Sequence, residues 1–186
     1  MQLTRDDIIS TAVELLDSYG FADMTMRRIA TTLGVVPGAL YWHVANKQAL
    51  IAEIAVSFVS HLDGESTMEL VKNLRSILLA HRDGAELVTA ALSQANSPTW
   101  NRLTKIFSDS LSDTGADDLQ RDVAAQTLIH LVLGATVMDQ NRTQLAELTA
   151  TAEKGTTSES DSHDFALLQG AEFIIAGVTA SANGSL

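Results

Sequence analysis

Apolar residues recur at spacings of three and four along nearly the whole chain, and two-residue alternation is scarce, so the pattern predicts helices and no strand. Ile8, Ala12, Leu15, Leu16 and Tyr19 form one stripe. Thr4 caps this first helix, with Asp7 as its capping-box partner, and Gly20 supplies the stop. Thr25 caps a short second helix that turns Ile29, Ala30 and Leu33 inward and ends at Gly34. Pro37 suits the first position of a third helix, predicted to run about two turns through His43. Asn46 caps a fourth, which carries Leu50, Ile54 and Phe58 and reaches about His61. Beyond a hinge at Asp63 to Thr67, helices are predicted near 68–81, 85–95, 98–112, 117–139 and 164–182. The stretch from Thr149 to Ser162 has almost nothing apolar and predicts a mobile loop. The fold class is all-α: a three-helix N-terminal domain at 1–48 followed by a helical bundle at 49–186.

Composition narrows the function. The 186 residues contain no cysteine, which excludes a disulfide scaffold, thiolate catalysis and cysteine-held metal. The N-terminus meets Asp6 and Asp7 before any apolar run, so no secretory signal is expected. No stretch approaches the roughly 18 uninterrupted apolar residues of a membrane span. A cytoplasmic, membrane-free protein is the expectation. The net charge of −11 argues at first against nucleic acid, but it is unevenly distributed. Residues 1–48 hold four bases and five acids, and the remainder carries −10. Between Met24 and Ala52 there is no acid, while Arg27, Arg28 and Lys47 contribute +3, with His43 beside them. A cationic face on an acidic body can dock on DNA, because screening confines repulsion to about 8–10 Å.

Two short helices joined by a glycine turn and packed on a first helix are the helix-turn-helix arrangement. Pro37, Gly38 and Ala39 are small enough for close approach to base edges, and Ala39 can pack on a thymine methyl. Tyr41, His43 and Lys47 can donate to phosphates, and Arg27 reaches far enough for a guanine. One of Leu40 and Trp42 must face the core.

Residues 4–56 resemble the DNA-binding domain of the tetracycline-repressor (TetR) family of bacterial regulators. The likeness is carried by Thr25-Met26-Arg27-Arg28-Ile29-Ala30, Leu33-Gly34-Val35, Leu40-Tyr41-Trp42-His43-Val44 and Asn46-Lys47. It continues through Leu78–Ala85, Leu133-Gly134, Asp139-Gln140 and Gly170–Gly177, which are similar to the tetracycline-sensing branch. The resemblance implies a homodimeric repressor that releases a palindromic operator on binding a small-molecule inducer. It implies base reading by Arg27 and by the helix start at Pro37, Gly38 and Ala39, where that branch's polar readers are missing. Thr25, Tyr41, His43 and Lys47 fall at phosphate-contacting positions, and Arg28 and Trp42 complete the expected DNA face.

In that branch the drug is held as a magnesium chelate by a histidine and an acid. The matching positions here are Val88 and Met138, which supply none of the oxygen ligands magnesium needs. No metal or other cofactor is expected. Leu70 and Leu74 replace drug-contacting positions, and Trp100, Leu103, Phe107 and His61 complete a candidate pocket for a hydrophobic ligand. His81-Arg82-Asp83-Gly84 reads as a helix terminus, and His130 as a core or interface residue. Apolar faces at 123–135 and 165–178 predict an isologous four-helix dimer interface. No nucleophile accompanies the histidines, so no catalytic residue is assigned. The other readings of the chain are a small all-α enzyme and an acidic protein-interaction module.

Overall fold

The computed structural model describes residues 3–149 and 157–184, and the side chains of 3–148 and 163–184. Nine α-helices follow in order: α1 (Arg5–Tyr19), α2 (Met26–Thr32), α3 (Pro37–Leu40), α4 (Lys47–Phe58), α5 (Thr67–Leu79), α6 (Gly84–Leu92), α7 (Pro98–Asp109), α8 (Asp118–Thr149) and α9 (Thr157–Ala182). Single 3-10 turns follow α4 at Val59–His61 and α7 at Ser112–Thr114. No strand occurs among the described residues, and the all-α expectation holds.

The chain divides into two compact units, one of Met1–His61 with Ile77–Trp100 and one of Leu62–Ser76 with Asn101–Leu186. The first is therefore larger than residues 1–48. Helix α4 explains why: Leu50, Ile51, Ile54 and Ala55 are all buried, so it needs apolar neighbours on more than one side. It packs on both α1 and α6, and α6 supplies Ala85, Leu87, Val88 and Ala91.

Predicted caps are in place. The Thr4 hydroxyl accepts from the Asp7 amide at 3.2 Å while the Asp7 carboxylate accepts from the Thr4 amide at 2.9 Å. The Thr4 hydroxyl also donates to the Asp7 carboxylate at 2.6 Å, and that bond, followed by the one from the Thr4 amide, holds the Asp7 carboxyl below its usual range. Thr25 and Asn46 accept from the amides of Arg28 and Ala49 at 3.2 and 2.8 Å. A bidentate pair of Arg5 with Glu53, one arm at 2.7 Å, joins α1 to α4.

The His81 to Gly84 segment does more than end a helix. Asp83 is buried in the left-handed region at φ 54°, and its carboxylate accepts from the Phe21 amide at 2.7 Å. One residue earlier, Gly20 has φ +87°, and a Cβ there would lie 2.7 Å from that same carboxylate. The Asp17 carboxylate accepts from the Arg82 amide at 3.1 Å and meets His81 Nδ1 at 3.1 Å. The His81 ring stacks on Phe58, with centroids 4.0 Å apart and planes 5° from parallel. Gly84 is equally constrained, since a Cβ there would stand 2.4 Å from the Leu78 carbonyl oxygen. The α5–α6 turn thus clamps the C-terminal end of α1.

In the second unit, Arg75 of α5 is 8% exposed. Its guanidinium donates to Asp164 of α9 at 2.7 Å and to Asp139 of α8 at 2.9 Å, with Thr136 at 3.4 Å. Two carboxylates on separate helices thereby compensate one buried cation, and losing either would leave charge uncompensated.

Several predicted boundaries shift: α6 and α7 end at Leu92 and Asp109, three residues before 95 and 112, and three others change more of the picture. α3 stops at Leu40 rather than His43, because the amides of His43 and Val44 both turn back to the Leu40 carbonyl at 2.9 Å before the chain extends into the α4 cap. α8 continues ten residues past 139, through good helix formers such as Gln144, Leu145, Ala146, Glu147 and Leu148. α9 begins at Thr157, inside the stretch expected to be a loop; of that stretch, residues 150–156 lie outside the described ones. Low apolar content had marked the segment as a loop, but Ser, Thr, Glu and Asp are also at home in the first turns of a helix.

Two stability outcomes follow. Gly20→Ala is expected to cost about 2–3 kcal/mol, and Asp83→Ala about 1–3 kcal/mol. The double variant should lose less than their sum by at least ~0.5 kcal/mol, since the Cβ no longer meets a carboxylate. Urea unfolding of the four proteins measures this, and strict additivity would refute the clamp. Partial burial and then the Asp83 charge raise the Glu86 carboxyl above its ordinary value, against the attraction of Lys47. Ionised Glu86 thus disfavours the folded state once pH exceeds that raised value, and the penalty vanishes as pH falls below the ordinary one. Glu86→Gln should raise the melting temperature at pH 7 and leave it unchanged near pH 3.

Candidate nucleic-acid interface

Helix α2 is held from beneath by Met26, Ile29 and Ala30, all buried, which leaves Arg27 on the outside. Gly34 then reverses the chain at φ +69°, with its amide on the Thr31 carbonyl and the Val35 amide on the Ala30 carbonyl. Val36 is extended, as the residue before a proline must be, and Pro37 opens α3. Leu40 and Val44, at 0 and 2% exposure, pin the segment to the core. Between them Trp42 stands 90% exposed. Leu40 is thus the residue that faces inward, as one of that pair had to.

The residues expected to meet DNA lie along the first unit's segment 25–47. Thr25, Arg27, Pro37, Gly38, Tyr41, Trp42 and His43 are exposed, and Arg28, Ala39 and Lys47 are half-buried. Two of the three bases already have work within the fold. Arg28 donates to Asp23 at 2.7 Å and lies 3.8 Å over the Tyr19 ring. The Lys47 ammonium sits 5.0 Å over the Phe21 ring. Both cations are therefore pre-positioned rather than free to sweep. The Arg27 guanidinium has no partner among the described residues and is available to a ligand. Val36, at 72% exposure, belongs to this surface and was not singled out from the sequence. Its place as the residue before Pro37 was the available signal.

The candidate pocket residues are dispersed. In the first unit, Val88 is fully buried, Trp100 is half-buried, and exposed His61 shares a 2.8 Å contact with the Ser60 hydroxyl. In the second, Leu70, Leu74, Leu103 and Phe107 are core residues at no more than 2% exposure. Met138 is 56% exposed and so is not a wall of that unit's interior. His130, expected in a core or interface, is exposed on this chain. Two hydroxyls on α7, of Thr99 and Thr104, are buried with no hydrogen-bond partner among the described residues. The described residues contain no cluster of three His, Asp or Glu able to hold a metal, and Val88 and Met138 do not fit a magnesium chelate. A cavity of about 440 Å³ lies between α8 and α9 and is lined by Leu119, Val123, Thr127, Phe173, Ile174 and Gly177 among others.

Residues 8–54 match the model of the tetR family of bacterial regulatory proteins. A tetracycline repressor protein of class E from Escherichia coli is 30% identical over 155 residues, 77% of this chain and 72% of that protein. The chain belongs to the TetR family. Class D of the same repressors, also from Escherichia coli, is 38% identical over 97 residues, covering 46% of this chain and 44% of that protein. Among solved structures, Mycobacterium smegmatis BioQ superposes with a TM-score of 0.82 at 35% identity over 96% of this chain and 99% of that one. BioQ with its natural double-stranded DNA operator does so with a TM-score of 0.79 at 33% identity, with the same two coverages. TetR-family members are DNA-binding transcriptional regulators, not enzymes, which removes the all-α enzyme reading.

On a TetR-family face built this way, Arg27→Ala should relax base preference at one operator position. Lys47→Ala should instead weaken all sequences alike and lower the salt slope by about one. Competition gel shifts with matched and mutated duplexes distinguish the two. Wild-type affinity in both variants would show that DNA meets another surface.

Proposed function

We propose that this TetR-family regulator is a homodimeric, cytoplasmic repressor that binds a palindromic operator and releases it when a small hydrophobic ligand binds. Residues 1–48 act as the reading head and 49–186 as the ligand-binding and dimerising body. The observation that carries the reading is the exposed segment from Thr25 to Lys47, which bears Arg27, Arg28 and Lys47 and contains no acid, on a chain whose total charge is −11. The BioQ structure with its operator and the repressor names of the curated relatives support it.

Dimerisation is supported by what the second unit leaves uncovered. Ala124, Ala125, Leu128, Val132, Ala171 and Val178 are used within the chain. Leu119, Val123, Phe165 and Phe173 are 73, 57, 65 and 71% exposed. From His163 to Ala182, α9 is long and apolar enough by length and composition to cross a membrane, yet 17% of that window is buried. A second copy laid along α8 and α9 would cover these groups, and exposed apolar surface of this extent favours such an interface. Two heads would then read half-sites one helical turn, roughly 34–36 Å, apart.

For the ligand, the support is chemical. Leu70, Leu74 and Val88 are apolar where the tetracycline-sensing branch carries polar drug contacts and a metal ligand, and Leu103 and Phe107 add buried apolar side chains. Binding near the Asp63 to Thr67 hinge would swing α4 and take the two recognition segments off successive major grooves. His61, Trp100 and Met138 are the remaining proposed contacts.

Gel shifts on DNA upstream of the protein's own gene, at two salt concentrations, test the reading. Specific retardation that weakens with salt is expected, and none at low salt would overturn it. Phe173→Glu should give a monomer in sedimentation and lose at least about tenfold in operator affinity. A ligand found by thermal shift should reverse the retardation.

A further inference from the structure

We propose that the recognition segment reads its operator through thymine methyl groups, with Val36, Ala39 and Trp42 forming an apolar reading edge and Arg27 adding a directional contact. This rests on the DNA-binding reading above and specifies which base features the face accepts. Val36 and Trp42, at 72 and 90%, are more exposed than the other large apolar side chains exposed in the first unit. They flank Ala39 at the two ends of the recognition segment, Val36 as the extended cap of α3 and Trp42 in the turn just after the helix. Backbone bonds keep that segment compact: the Ala39 amide bonds the Val36 carbonyl, and those of His43 and Val44 bond the Leu40 carbonyl, each at 2.9 Å.

Nothing on this edge can make a side-chain hydrogen bond to a base from residues 36–39. Pro37 lacks even a backbone donor, and above Gly38 there is open space, with no atom within 4 Å of a Cβ built there. In the major groove the apolar feature of a base edge is the 5-methyl of thymine. A cytosine amino group facing Val36 or Trp42 would lose water without gaining a partner, so the same edge rejects as well as selects. Directional bonding falls to Arg27, because Arg28 is held by Asp23 and Tyr19 and Lys47 by Phe21. The acid-free sequence from Met24 to Ala52 makes a duplex, rather than an acid-bearing protein groove, the matching occupant.

The full-length protein, used to select binding sites from random duplex DNA, gives the operator against which the inference is tested. Each thymine of the selected half-site is then replaced by deoxyuridine, which removes the methyl and keeps every hydrogen-bonding group. At least one replacement should lower affinity about fourfold, and Trp42→Ala or Val36→Ala should abolish the difference between the two duplexes. Both side chains lie outside the core, so the variants keep the fold, which circular dichroism verifies. Undiminished affinity for every deoxyuridine operator overturns the inference, as does methyl discrimination that survives in both variants. A selection that enriches no sequence would instead overturn the DNA-binding reading beneath it.

Discussion

A single buried carboxylate, Asp83, fixes where the first helix of the reading head can lie. It accepts the Phe21 amide, which follows α1, and it presses on Gly20 so closely that no side chain fits there. Asp17 completes the joint by taking the Arg82 amide and facing His81, whose ring is in turn stacked on Phe58 of α4. The α5–α6 turn is thereby tied to α1 by hydrogen bonds and to α4 by a ring stack. Hydrophobic burial in the shared core supplies the bulk of stability, but it is non-directional and would tolerate small sliding of α1 on that turn. Directional bonds to backbone amides do not.

That rigidity matters because the α2–α3 face is small. α3 has four residues, and its hold on the core is Leu40 followed by Val44. So short a helix cannot aim side chains by itself; its orientation comes from α2, on which it packs. The same economy shows in the bases. Arg28 and Lys47 lie on aromatic rings of their own domain, which restricts the arrangements open to either cation.

In the second unit the long helices satisfy two demands with different faces. One side of α8 and α9 fills the chain's own core, where Gly170 lets α9 come close to Leu131 of α8. The other side leaves Val123 and Phe173 in the open around a 440 Å³ groove. Arg75, pinned between Asp139 and Asp164, fixes α5 against both helices. A buried cation tolerates few arrangements of its partners, so it specifies register where interchangeable Leu, Ile and Ala contacts would not.

Much of this was legible in the residues themselves, because it is local. Helix periodicity, the Thr4, Thr25 and Asn46 caps, the Gly34 turn and Pro37 act over three or four residues, and each falls where the pattern put it. The acid-free run bearing Arg27, Tyr41, Trp42 and His43 was legible for the same reason, and all four are exposed. The length of α3 and the reach of α8 and α9 were not, since helix ends depend on what the next segment packs against. Nor did the pattern separate the faces of α8 and α9, because an apolar stripe looks the same whether it meets its own chain or another. Only the tertiary structure joined Asp17, Gly20 and Phe21 to residues more than sixty positions away, and Arg75 to Asp164. Charge, capping and periodicity are written in sequence neighbours; which distant carboxylate meets which amide or guanidinium is decided when the chain has closed on itself.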